Sequence, residues 1–184
     1  APVPFTILMA SASGSLVKSM RLSRSFVSAV RFLCVFVSNS WPTSITAKNV
    51  TFTGTTYNSV SINVEETATF NGGTYNNEVA VIGSENDAEA VINGGVFNHN
   101  FKSSVDTTIK GGSLPYVDAD TNGVADYMLI MNAGKTLTVE KADSAFGPLF
   151  ATSGADCKLV YDTQDIKDFY SGLEGSNWSN ISVK

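Results

Sequence analysis

Between residues 50 and 140 the hydrophobic positions come in pairs two apart, and the pairs return in one phase. "VTFTGTTYN" (50–58), "ATFNGGTYN" (68–76), "AVINGGVFN" (90–98) and "TTIKGGSLP" (107–115) align on a shared glycine, and "LTVEKADSAF" from Leu137 is a decayed fifth copy. Phe52, Phe70, Ile92 and Ile109 form one column at separations of 18, 22 and 17 residues, with Val50, Ala68, Ala90 and Thr107 two positions earlier. Apolar residues two apart face the same side of a strand, so each copy predicts one inward-facing strand. Gly54, Gly72, Gly94 and Gly111 follow where the chain must turn, and Tyr57, Tyr75, Phe97 and Leu114 bring it back to the core. Asn58, Asn76 and Asn98 come next. Asparagine tolerates the left-handed region and can bond amide to amide with the next copy, so this column predicts an asparagine ladder. A further strand per copy is read at "SVSINV" (59–64), "EVAVIG" (78–83), "FKSSV" (101–105) and "YMLIMN" (127–132), with Val60, Ile62, Val64, Val79 and Val81 inward.

Three short strands in a period near 20 residues predict a solenoid, because one such coil cannot bury its own apolar face. An antiparallel sandwich also suits short strands between Gly and Asn. It predicts alternating strand directions and leaves the common order of Gly, aromatic and Asn without a cause. The expected fold is therefore all-β: a parallel β-helix of four to five coils over residues 45–160, with a C-terminal cap over 161–184. In that cap, "YDTQDIKDFYSGL" predicts a short helix started by Asp162 or Thr163, with Ile166, Phe169, Tyr170 and Leu173 packed inward.

Residues 1–15 read as an extended arm. Residues 16–44 read as an amphipathic helix: Lys18, Arg21, Ser25, Ser28 and Arg31 recur every three or four positions, against Leu16, Met20, Val27, Val30, Cys34 and Val37. Several roles stay open for it: a cap on the open end of the core, a membrane-surface or assembly arm carrying Lys18, Arg21, Arg24 and Arg31, a targeting segment, or an appended segment.

Residues 72–75 (Gly-Gly-Thr-Tyr), 94–97 (Gly-Gly-Val-Phe) and 111–114 (Gly-Gly-Ser-Leu), with the Asn58, Asn76 and Asn98 column, carry a resemblance. The coils resemble right-handed parallel β-helices of the pectate-lyase-like fold, and in particular the GG-T-Y/F repeats of bacterial and phage surface proteins. The resemblance spans about residues 45–140. It implies the coiled fold and a corner asparagine ladder, but no single activity, because the fold serves lyases, hydrolases, adhesins and virus spikes alike.

Charge narrows the partners. Residues 1–47 hold four cations and no acid, whereas the remaining residues hold eight Lys, no Arg and all seventeen acids. An acidic body without arginine excludes nucleic acid as an expected partner. No run of about 18 uninterrupted apolar residues predicts a membrane-spanning helix. Cys34 and Cys157 stand far apart, outside any metal-like spacing, and are read as one disulfide or two buried thiols.

"VDADTNGVADY" (117–127) is the strongest candidate for chemistry. Asp118, Asp120, Asn122, the Val124 carbonyl and Asp126 offer hard oxygen ligands on one tight loop, as calcium requires. Leu129 stands where an EF-hand has its bidentate glutamate, so the segment looks more like the Asp-rich loops of secreted bacterial modules; the alternative is an acidic turn between coils. His99 is the only histidine and has no nucleophile motif beside it. Lyases of the resembled fold use an Arg or Lys base near clustered acids, which the coils lack. Sequons begin at Asn49, Asn177 and Asn180.

The expected role is a non-enzymatic structural or adhesive module of an extracellular surface, fibre or virion. It would assemble with itself or bind carbohydrate or a cell-surface protein through a rigid face. The other reading is a calcium-assisted polysaccharide lyase or hydrolase.

Overall fold

The computed structural model describes residues 33–35, 43–57, 59–114 and 128–184. Among them every strand pairing is parallel, which removes the sandwich. The chain winds as a β-solenoid of about six turns with three faces.

The first face is the longest ladder. It runs β1 (Leu33–Val35), residues 49–52 of β2 (Thr43–Tyr57), residues 67–70 of β3 (Val60–Tyr75), β5 (Glu89–Ile92), β8 (Asp106–Ile109), β10 (Thr136–Val139), β12 (Lys158–Tyr161) and β13 (Asn180–Val183). The second face runs from residues 43–47 of β2 through 60–64 of β3 to β4 (Val79–Gly83), β7 (Phe101–Ser103), β9 (Met128–Met131) and β11 (Leu149–Thr152). The third face is narrow: residues 56–57 of β2, 74–75 of β3 and β6 (Val96–Phe97), continued by single bridges from Val96 to Ser113 and from Leu114 to Phe146. Strands β2 and β3 are long because the chain stays extended through their corners, where register shifts interrupt the pairing only locally.

Alternation decides what lies inside. On the first face Phe52, Phe70, Ile92, Ile109, Val139 and Tyr161 are all buried, as are Val60, Ile62, Val64, Val79 and Val81 on the second. Like side chains stack one coil above another. Phe52 lies flat on Phe70 at 5.0 Å, Tyr57 on Tyr75 at 5.0 Å, and Tyr75 on Phe97 at 4.7 Å. Such stacks add to the stabilisation from area burial. Phe146 fills the third-face position of the copy beginning at Leu137, although no glycine pair announces it.

Three expectations change. The ladder extends beyond 45–160: β1 precedes it and β13 lies inside the predicted C-terminal cap, giving about six turns rather than four to five. The added rungs lack the glycine pair, so alignment on glycine passed over them. Leu33–Val35, part of the predicted helix, is a strand paired with Val50–Phe52; a short apolar run satisfies helix and strand patterns equally until a ladder edge recruits it. The rest of the 16–44 helix, apart from residues 43 and 44 of β2, lies outside the described residues, as does the 1–15 arm. The third change concerns Phe169 in α1 (Gln164–Phe169), which is half exposed. Thr163 caps that helix by accepting from the Ile166 N–H, and Ile166 and Tyr170 are the residues it buries.

Cys34 and Cys157 cannot pair within one chain. Cys34 belongs to β1 and Cys157 adjoins β12, six ladder steps away along the first face. Six steps span about 29 Å, against the roughly 7 Å that a disulfide bridges. Cys157 is a buried free thiol.

Candidate interaction faces

The glycine pair has two separate tasks. The second glycine takes the conformation: Gly73, Gly95 and Gly112 have φ of 101°, 111° and 111°, a region closed to most side chains. At Gly94 and Gly111 the first glycine makes room, since a Cβ at Gly94 would lie 2.9 Å from the Asn71 carbonyl oxygen, and one at Gly111 would lie 2.7 Å from that of Asn93; at Gly72 the nearest atom would stand at an ordinary 3.5 Å. Gly54, alone in its copy, has φ 125° and open space around it. Its structural counterpart is therefore Gly73 rather than Gly72, with register shifts beside it absorbing the offset. Along this corner an open groove of about 520 Å³ runs past Thr56, Thr74 and Val96.

Two asparagine pairs staple the corners. The predicted ladder appears where Asn98 Nδ2 donates to Asn76 Oδ1 at 3.3 Å; Asn58 lies outside the described residues. Neither Asn76 nor Asn98 has positive φ, so they serve as ladder groups and not as left-handed turn residues. The sequence reading missed the tighter pair, Asn93 Nδ2 to Asn71 Oδ1 at 2.8 Å, just before the glycines. Its signal was visible in "FNGG" and "INGG", where asparagine precedes glycine at one phase.

Outside the core, the first face carries three parallel columns. The middle one reads Thr51, Thr69, Val91, Thr108, Thr138, Val160 and Ser182 in register. One flank holds Thr67, Glu89, Asp106, Thr136, Lys158 and Asn180. On the other flank Lys110 and Lys184 both approach Glu140 at 3.4 Å, and Lys184 meets Asp162 at 3.0 Å. Hydrogen bonds to Asp162 and Glu140 raise the Lys184 pKa. Asp143 is held low by the Ala145 N–H and by Lys141. These pairs are exposed and contribute little each.

The C-terminal cap is stitched by tyrosines. The Tyr170 hydroxyl donates to the Lys141 carbonyl at 3.2 Å and accepts from the Asp143 N–H at 3.1 Å, while Tyr161 donates to Glu174 at 3.0 Å. Burial, with the Glu174 carboxylate beside it, pushes the Tyr161 phenol far up. Trp178 donates to the Phe150 carbonyl at 3.1 Å, closing the end of the second face.

Of the predicted site residues, Asp118, Asp120, Asn122, Val124 and Asp126 lie outside the described residues, as do Lys18, Arg21, Arg24 and Arg31. The segment predicted to bind calcium falls between Leu114 on the third face and Met128 on the second, where the Met128 N–H is held by Asn100 Oδ1 at 2.8 Å. Among the described residues no three His, Cys, Asp or Glu side chains converge to hold a metal ion. His99 is half-buried at the turn from third to second face, and Lys102 is paired with Glu78 at 2.7 Å. Asn49, the first sequon residue, is engaged within the fold, donating to Glu66 and accepting from the Thr67 N–H. No described helix is long and apolar enough to cross a membrane.

The fold defines the class of this protein: a parallel β-solenoid. Compared with family models, curated proteins and solved structures, the chain shows no match.

Proposed function

We propose that this chain is a structural or adhesive module of an extracellular surface, fibre or virion, acting by self-assembly or by binding carbohydrate or protein along a rigid face. One observation carries the reading: the chain's order is spent on straight exterior columns of Thr, Val, Asn and paired charges, repeated coil after coil on a continuous ladder. A ladder of that kind fixes side-chain spacing near 4.8 Å and suits repeated weak contacts better than a single converging centre. The basic segment carrying Lys18, Arg21, Arg24 and Arg31 supplies attachment. Light scattering on the full chain tests this. The expected result is a mass above the monomer that falls when those four residues are changed to Glu. A monomer at every concentration, with no retention on glycan or cell-surface supports, sinks the proposal.

Calcium belongs to the same reading. The segment holding Asp118, Asp120, Asn122, Val124 and Asp126 binds the ion through its carboxylate, amide and carbonyl oxygens. Titration calorimetry is expected to show calcium heat that Asp120→Ala abolishes. Heat unchanged by that substitution, or no heat at all, removes calcium from the account.

A further inference from the structure

The exterior of the first face carries a stripe of half-buried β-branched residues, Thr69, Val91, Thr108, Thr138 and Val160, between two polar flanks. Thr51, in the same column, is already covered at 5% exposure, so the free stripe begins at Thr69. Two rungs carry a charge on each flank, and both carry opposite signs: Asp106 with Lys110, and Lys158 with Asp162. The strands alternate in and out, so these four side chains flank the stripe on the outer surface, and all four residues are exposed. Among the described residues Lys158 has no acidic partner and Asp106 no basic one; Asp106 accepts only the Thr136 N–H, at 2.7 Å.

We infer that this face is an interface between two copies of the chain, packed sheet on sheet about a twofold axis parallel to the solenoid axis. The inference rests on the self-assembly reading and names the surface that performs it. Such an axis lays every rung on the same rung of the second copy and exchanges the flanks. Asp106 then meets the partner's Lys110, and Lys158 meets the partner's Asp162. Sliding the copies by one rung replaces those opposite-charge contacts with a mixture: Asp106 meets the partner's Glu140 and Lys158 the partner's Lys184, two like-charge contacts, against Glu89 with the partner's Lys110 and Glu140 with the partner's Lys158. A closed twofold contact needs no slide, which is why it is self-complementary. In the middle, each stripe residue faces its own equivalent across a sheet spacing of about 10 Å, a packing that β-branched side chains fill. The patch is about 24 Å long and about 17 Å wide. It covers on the order of 800 Å² over both copies, at the weak end of specific interfaces. Charge pairing therefore sets the orientation, and affinity stays low unless copies are arrayed.

Single cysteines test the geometry, in the full chain with Cys34→Ser. Thr69→Cys and Thr138→Cys, far apart on the stripe, are both expected to form dimers cross-linked by a short bis-maleimide, which spans the sheet spacing that a disulfide does not, whereas Ser61→Cys on the second face is not. Sedimentation at high micromolar concentration is the second measurement: Thr108→Lys and Asp106→Lys each lower the dimer fraction at least threefold, and added salt weakens the parent dimer. Circular dichroism checks that each variant stays folded; if Thr108→Lys unfolds, Asp106→Lys at the exposed rim gives the result alone. An oligomer that persists unchanged in Thr108→Lys and Asp106→Lys, with neither cysteine cross-linking above the Ser61→Cys control, overturns this face and leaves assembly to the basic segment. A chain that is monomeric throughout overturns both.

Discussion

Asn93 donates its side-chain amide to Asn71 Oδ1 at 2.8 Å, and the Asn71 carbonyl oxygen lies 2.9 Å from where a Cβ on Gly94 would stand. One residue thus bonds its neighbour above and forbids a side chain beside it. Changing Asn93 to Ala removes an exposed, solvent-competed bond and is expected to cost about 0.5–1 kcal/mol in urea unfolding. Asn98→Ala, which loses the longer bond to Asn76, should cost less in the same experiment.

The two glycine tasks fail for different reasons, and the difference is measurable. Gly54→Ala meets nothing within 4 Å but must hold φ 125°, so it isolates backbone strain, expected at about 1–3 kcal/mol. Gly111→Ala has no such φ and meets the Asn93 carbonyl oxygen at 2.7 Å, so it isolates the close approach of coils. In that variant the displaced carbonyl should also weaken amide exchange protection at Lys110 and Gly111, which both donate to Ile92. Protection unchanged there would show that the Asn93 carbonyl shifts aside without parting the coils.

Phe70 touches more of the core than any glycine. It is stacked on Phe52 at 5.0 Å and meets Tyr75, Phe97 and Phe101 edge-on within 6 Å. Phe70→Ala is expected to cost about 3–5 kcal/mol; Phe70→Leu, which keeps most of the volume, should cost well under half of that. Equal losses would mean that the stack itself, rather than filled volume, is what the core requires.

Alkaline pH should unfold the protein through its tyrosines. Burial raises the phenols of Tyr57, Tyr75 and Tyr161 far above their ordinary value near 10. The folded state therefore keeps protons that the unfolded chain releases. Stability is full below about pH 10 and falls as pH rises beyond it. Tyrosinate absorbance and loss of the β signal should appear together. Tyr75→Phe, which gives up a 2.9 Å bond to the Gly72 carbonyl, should cost about 1 kcal/mol at neutral pH and reduce the alkaline loss.

The repeat was legible because it obeys local rules. A strand's two-residue period sets which of Val50, Phe52, Ala68 and Phe70 turn inward, and a corner with positive φ calls for glycine, whatever the coils above and below do. The three-sided coil and the Tyr57–Tyr75–Phe97 stack follow from that phase. Other features belong to the contacts between coils and carry little local mark. Leu33–Val35 reads as helix until β2 offers it an edge, and β13 reads as a tail until β12 does. The steric task of Gly94 and Gly111 exists only when a carbonyl of the preceding coil stands beneath them. Likewise, Asp106 and Lys110 are merely four residues apart in the chain; parallel stacking is what sets them on opposite flanks of a β-branched stripe. Periodicity within one coil is a property of the backbone and can be read in one dimension. What each coil does to its neighbour depends on distances that only the wound chain creates.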